Sequence, residues 1–157
     1  MSLKNMRFNR YLIIRYAIAL LFFINLYWFL LMLQESISIV MILPLSLLLL
    51  SIPATYQQFK LYGDTSNDIG EKLKYNKYFF TMQIIVNIFL MTIAITGFLY
   101  SHIFVLMTNL SDTRTFLVGF LALGIIISLF SLKRISLIED NKDKFYNTIL
   151  EFEKAQN

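Results

Sequence analysis

The stretch YLIIRYAIALLFFINLYWFLLML, residues 11–33, decides the fold class. It is apolar throughout apart from Arg15, Asn25 and a few amphipathic aromatic side chains. A helix of this length rises about 34 Å at ~1.5 Å per residue, and the hydrocarbon core of a bilayer is about 30 Å thick. The stretch therefore predicts a helix that crosses a membrane.

Three further stretches have the same character, and they predict spans at residues 37–56, 78–100 and 115–132. The composition agrees, because 57% of the 157 residues are hydrophobic and only 15% are charged. Soluble domains carry about 25% charged residues, which they need to cover their surface. We expect residues 1–132 to form an all-α, integral membrane four-helix bundle.

Lysine and arginine are unevenly distributed between the predicted spans. Of the 14, only Arg114 falls in the loop 101–114, and the rest lie near the start of the first span, between the second and third, or after the fourth. Cytoplasmic segments of membrane proteins retain positive charge. The distribution predicts that both termini are cytoplasmic and face anionic lipid of a plasma membrane. Abundant Ile, Asn, Lys and Phe, with no Cys, is typical of bacterial membrane proteins.

Residues 133–157 predict a cytoplasmic amphipathic helix of about five turns. Ile138, Phe145, Ile149 and Phe152 fall on one face of that helix, with polar residues elsewhere. We interpret this apolar stripe as the site that binds a partner protein. In the alternative, the stripe lies on the membrane surface or on a loop of the chain itself.

Charged residues of the same helix are spaced to form ion pairs on its polar face. Asp140 and Lys144 are four residues apart, and Glu139 and Lys142 are three apart. Pairs at this spacing contribute only about 0.2–0.5 kcal/mol each. Both are expected if the helix is continuous.

The polar side chains at the centres of the predicted spans are neutral. We interpret Asn25, Gln83, Asn87 and Thr96 as packing contacts between helices, since amides in hydrocarbon bind other polar groups. In the alternative, these side chains line a polar path through a self-associated pore. Proton-coupled transport usually requires an ionisable group within a span, and apart from Arg15 near the start of the first span the sequence places no Asp, Glu, Lys, Arg or His there.

Two short motifs resemble each other. FNRY at residues 8–11 opens the first span, and YNKY at residues 75–78 opens the third. The similarity is a hint of a duplicated hairpin, although four positions are few against the standard for internal repeats.

The sequence lacks the motifs that identify catalytic and metal-binding sites. It has no cysteine, and its one histidine, His102, lies in the loop 101–114 without an obvious catalytic partner. Glycine-rich phosphate loops, zinc-protease motifs and nucleophile elbows are also absent. We predict no catalytic, cofactor-binding or metal-binding residue.

These features favour a non-enzymatic function. The basic residues alternate with apolar runs and form no basic polar domain, which argues against nucleic acid as a partner. We predict an accessory or regulatory subunit, or an immunity-type protein, that associates with a larger membrane protein or with copies of itself. The alternative is a small self-associating transporter or holin-like pore.

Overall fold

The computed structural model describes residues 8–35, 39–61, 72–97 and 111–156. Within these residues the chain forms five α-helices and no strand, which confirms the all-α class. A single turn of 3-10 helix, Ile39–Met41, precedes the second helix. The helices are α1 (Leu12–Glu35), α2 (Ile42–Lys60), α3 (Lys74–Thr96), α4 (Ser111–Glu139) and α5 (Lys144–Gln156).

Helices α1 to α4 are each long and apolar enough to cross a membrane. Many of their large apolar side chains point outward, among them Phe23, Leu49, Ile85 and Ile126. A soluble protein rarely exposes contiguous apolar surface of this extent. The four helices therefore identify a multi-pass membrane protein.

The helix ends differ from the ends of the predicted spans. Helix α3 begins at Lys74 and ends at Thr96, whereas the prediction was 78–100, of which residues 98–100 lie outside the described part of the chain. Helix α4 continues past the predicted end at residue 132 to Glu139. Hydropathy locates the segment that matches the hydrocarbon, whereas backbone capping sets the ends of a helix.

The C-terminal end of α3 is formed by Gly97, which has a left-handed backbone with φ of 74°. Its N–H donates to the Ile93 carbonyl at 2.9 Å. The guanidinium of Arg114, at the start of α4, lies so close that a Cβ on Gly97 would collide with it. A cation at this position also interacts favourably with the negative end of the helix dipole.

Replacing Gly97 with alanine should therefore destabilise the protein by about 1–2 kcal/mol, because left-handed backbone is strained for residues with a Cβ. The free energy of unfolding in mixed detergent micelles measures this. Gly119→Ala is the matched control, since a Cβ there meets nothing within 4 Å, and it should be neutral or slightly stabilising. Equal effects of the two substitutions would contradict the prediction.

The four long helices pack in a ring. Each contacts its neighbours in the chain, α4 also contacts α1, and the contact between α3 and α4 is the most extensive. Among the described residues, the diagonal pairs α1–α3 and α2–α4 make no comparable contact. This is an up-down-up-down bundle. Its basic end, where α1 and α3 begin and α2 and α4 end, carries Arg10, Lys60, Lys77 and Arg134.

Two apolar clusters fill the bundle. The cluster nearer the basic end contains Ile14, Phe79, Phe80, Ile135 and Ile138, and the two phenylalanine rings meet edge to face. The other cluster lies towards the opposite end and includes Leu47, Val86, Leu90, Leu117 and Leu121. Ile135 and Ile138, which the sequence assigned to the tail, thus belong to the core of the bundle.

Candidate functional site

Three of the four predicted intramembrane polar residues meet in the centre of the bundle. Asn25 Nδ2 donates to Gln83 Oε1 at 2.8 Å, and Gln83 Nε2 donates to Asn87 Oδ1 at 3.0 Å. Asn87 Nδ2 in turn faces the Leu121 carbonyl of α4 at 3.4 Å. All three amides are buried. They form a continuous chain of hydrogen bonds from α1 through α3 to α4.

The link from Asn25 to Gln83 joins diagonal helices, so it crosses the middle of the ring. Gly124 of α4 makes room for the amide chain, because a Cβ there would collide with the Asn87 amide nitrogen. The amides are therefore bonded to one another inside the bundle.

Thr96, the fourth predicted residue, does not join this chain. Its side chain is exposed, and its hydroxyl donates to the Thr92 carbonyl of its own helix at 2.9 Å. A hydroxyl that bonds back to the preceding turn is satisfied without a second helix. The sequence could not place Thr96, because its side of α3 depends on how the helix is rotated in the bundle.

A second group of amides connects α2 and α3 at the basic end. Gln57 Oε1 accepts hydrogen bonds from the backbone N–H groups of Tyr75 and Asn76, at 3.0 and 3.3 Å. Leu73 cannot cap this helix with its own side chain, so Gln57 supplies the acceptor that free N–H groups of a helix start require. Buried Gln58 and Asn76 bond each other at 3.0 Å.

Arg10 and Asp143 form a buried ion pair at the basic end. The two residues are only 4% and 1% exposed. Arg10 Nε and Nη2 both donate to Asp143 Oδ1, at 2.9 and 2.6 Å. Nη2 also donates to the Ile138 carbonyl at 3.0 Å and to Asn141 Oδ1 at 2.8 Å. Arg10 thus ties the start of α1 to the junction between α4 and α5.

The α4–α5 junction has a defined turn geometry. Asn141 has positive φ (54°), and Lys142 N–H donates to the Leu137 carbonyl at 2.9 Å, as in a Schellman helix end. Asp143 then caps α5, since its Oδ2 accepts from Tyr146 N–H at 3.3 Å. The Asp143 carboxylate therefore caps the N-terminus of α5 with one oxygen and pairs with Arg10 through the other.

This turn corrects two expectations. The tail is not one continuous helix from residue 133, because α4 ends at Glu139 and α5 begins at Lys144. The expected pairs Asp140–Lys144 and Glu139–Lys142 are also wrong, because the spacing across the turn is not helical. Lys142 instead contacts Asp140 at 3.4 Å on the surface, and Glu139 pairs with Lys77 of α3.

The cations of the two similar motifs, Arg10 of FNRY and Lys77 of YNKY, thus both pair with carboxylates around the end of α4. Their settings differ, because Arg10 is buried and Lys77 is exposed. Tyr11 is likewise buried, whereas Tyr78 is exposed. The motifs resemble each other in sequence and in the segment they contact, but matching positions do not share burial.

The predicted partner-binding stripe is divided between different surroundings. Ile138 is 0% and Ile149 is 3% exposed, so both are covered within the chain. Phe145 is half-buried, with the Arg134 guanidinium 5.5 Å from its ring centre. The side chain of Phe152 lies outside the described part of the protein. Of the three members of the stripe whose side chains the structure describes, only Phe145 is placed where a partner could reach it.

Acidic and histidine side chains form no group of three or more that could hold a metal ion in the described residues. His102 lies outside those residues. The fold and its polar clusters define the class as a multi-pass four-helix membrane protein with an additional helix at the basic end. No protein-family model, curated protein or solved structure matches the chain significantly.

Proposed function

We propose that this chain is a non-enzymatic accessory or regulatory subunit, or an immunity-type protein, that associates with a larger membrane complex. In this proposal it resides in a bacterial plasma membrane with the basic end in the cytoplasm. The positive-inside rule supports this orientation, because the basic end carries almost all of the lysine and arginine.

The position of α5 carries the proposal. The Arg10–Asp143 ion pair joins the start of this helix to the start of α1, and Ile149, further along the helix, is buried. A helix ordered in advance loses less conformational entropy when a partner binds to it. Over residues 144–151, where its side chains are described, the exposed ones are Lys144, Asn147, Thr148 and Glu151, and we assign the partner contact to this face together with Phe145.

The amide chain in the bundle centre supports a structural role for the interior. Asn25, Gln83 and Asn87 use their hydrogen-bonding groups on one another and on α4. A transport path needs polar groups that face water or a permeating solute. We therefore favour a subunit over a pore.

The proposal predicts that exchanging two charges on the exposed face, Lys144→Glu with Glu151→Lys, lowers recovery of the co-purifying partner at least tenfold. Charge complementarity at an interface is lost on exchange, whereas the helix tolerates it, because an acid then lies at the N-terminus and a base near the C-terminus. The measurement is quantitative mass spectrometry of complexes extracted from membranes in mild detergent.

The matched control exchanges Asp140 with Lys142, a surface pair in the adjacent turn, and it should leave the partner bound. The purified protein alone should give no ion flux in liposomes. Flux that Asn87→Ala alters, or a partner that tolerates the exchange on α5, would contradict the proposal.

A further inference from the structure

One guanidinium at the basic end, that of Arg134 on α4, has a buried N–H group without a hydrogen bond. Among the residues that the structure describes, no acceptor bonds to its Nε. Buried donors of this kind are rare in folded proteins, because each has lost its bond to water and gained none in return. Arg134 as a whole is only partly buried, so an anion from outside the chain can approach the guanidinium.

Within the described part of the chain, no carboxylate pairs with Arg134. Acidic side chains around the end of α4 pair with other cations: Glu139 with Lys77, Asp140 with Lys142, and Asp143 with Arg10. Arg134 instead lies over the Phe145 ring of α5, whose centre is 5.5 Å from the guanidinium carbon. An aromatic ring attracts a cation but does not neutralise it. The positive charge is therefore available to an anion.

The face of α4 on the membrane side of Arg134 is apolar and exposed. Phe130, Leu123 and Phe120 precede Arg134 by 4, 11 and 14 residues, so they lie in line with it along one side of the helix. All three are exposed. From Phe120 to Phe130 the helix rises about 15 Å at ~1.5 Å per residue, which is half of a ~30 Å hydrocarbon core. This stripe has the length of one leaflet, with Arg134 at its headgroup end.

We propose that Arg134 and this stripe bind one anionic phospholipid in the leaflet at the basic end. The headgroup phosphate bonds to the guanidinium, and an acyl chain lies along Phe130, Leu123 and Phe120. Arginine binds phosphate through parallel, charge-assisted hydrogen bonds. A transmembrane helix of another protein fits less well, because helix interfaces in membranes favour small residues and the stripe consists of bulky ones. The inference goes beyond the proposed protein partner and does not rest on it.

A tryptophan on the stripe can report which lipid lies there. Trp28 is the only native tryptophan, so Trp28→Phe with Phe130→Trp gives a single probe one helical turn from Arg134. Quenching by brominated phosphatidylglycerol and by brominated phosphatidylcholine with the same chains, in vesicles, gives the ratio of their binding constants. We expect about fivefold preference for phosphatidylglycerol, the scale of one basic residue at an anionic membrane.

Two charge variants test whether Arg134 causes this preference. Arg134→Gln should reduce the ratio of binding constants to about one. Lys133→Gln is the matched control, since it removes the same charge from an exposed side chain one residue away. It should leave the ratio nearly unchanged, because adjacent residues of a helix point about 100° apart. An equal loss in both charge variants would overturn the proposal.

A second probe, Ile85→Trp in the Trp28→Phe background, tests whether the preference is local. Ile85 is an exposed residue of α3. Because Lys77 pairs with Glu139, Ile85 lies about as deep in the membrane as Phe130, roughly 12–14 Å from that pair along each helix.

The Ile85→Trp probe should be quenched equally by both lipids in every variant, which also shows that each variant is inserted. An equal preference for phosphatidylglycerol at the two probes would contradict the proposal, because the attraction would then be general to the basic end. Protection of Phe130→Trp from both lipids would contradict it as well, because protein would then cover the stripe.

Discussion

An Asp143→Leu variant should unfold about 3–5 kcal/mol more easily than the wild type. The substitution leaves the Arg10 guanidinium buried without its counter-charge, and breaking a buried ion pair from one side has this magnitude. It also removes the acceptor that caps α5 at Tyr146. The free energy of unfolding in mixed micelles measures the effect, and faster tryptic cleavage at Lys142 and Lys144 should accompany it.

Three further variants separate charge from capping. Asp143→Asn retains an oxygen for the Tyr146 N–H and should be less destabilising than Asp143→Leu. Adding Arg10→Leu to Asp143→Leu should restore much of the stability, because no uncompensated charge then remains. Asp140→Asn, which affects only a surface pair, should change stability by less than about 1 kcal/mol. If Arg10→Leu and Asp143→Leu were additive, the two residues would not act as a pair.

Replacing Gly124 with leucine should destabilise the bundle by about 2–4 kcal/mol. The new side chain would occupy the space of the Asn87 amide, where even a Cβ collides, and it would push apart α3 and α4, the two helices with the most extensive contact in the bundle. Overpacking costs about 1–3 kcal/mol, and lost hydrogen bonds within the membrane add about 0.6 kcal/mol each.

Gly119→Leu on the same helix is the control, since the space around Gly119 is open, and we expect a change below about 1 kcal/mol. The smaller substitution Gly124→Ala tests the contact directly. It should be destabilising in the wild type but tolerated in an Asn87→Ala background, where the amide is absent. An equal loss of stability in both backgrounds would show that the missing side chain of Gly124 is not what accommodates the Asn87 amide.

The spans could be predicted because a bilayer demands one property of a segment, sufficient apolar length. That Asn25, Gln83 and Asn87 bond to other polar groups followed from the same demand, since an amide in hydrocarbon needs a partner. Which amides would meet was not predictable. Gln83 and Asn87 are one turn apart on α3, but Asn25 reaches them only through the packing of α1 in the ring.

Arg10 shows why the basic end was predicted less well. From the sequence, Arg10 was predicted to be one of many cytoplasmic positive charges. In the structure it is buried and paired with Asp143, 133 residues further along the chain. No local pattern reveals a contact over that distance. The turn itself did leave a signal in EDNKDK, since Asn favours left-handed helix ends and Asp favours helix starts. The same residues also fit the polar face of one continuous helix, and this second interpretation hid the turn.

The separation between Arg10 and Asp143 also has a consequence for biosynthesis. The ribosome adds about 5–20 residues per second, so Asp143, 133 positions after Arg10, is added roughly 7–27 s later. For most of that interval α1 is already translated, whereas Asp143, the counter-charge of Arg10, is not. The bundle can be fixed at this end only after the ribosome has passed the last span, so a chain interrupted before Asp143 lacks the ion pair that joins α1 to the α4–α5 junction.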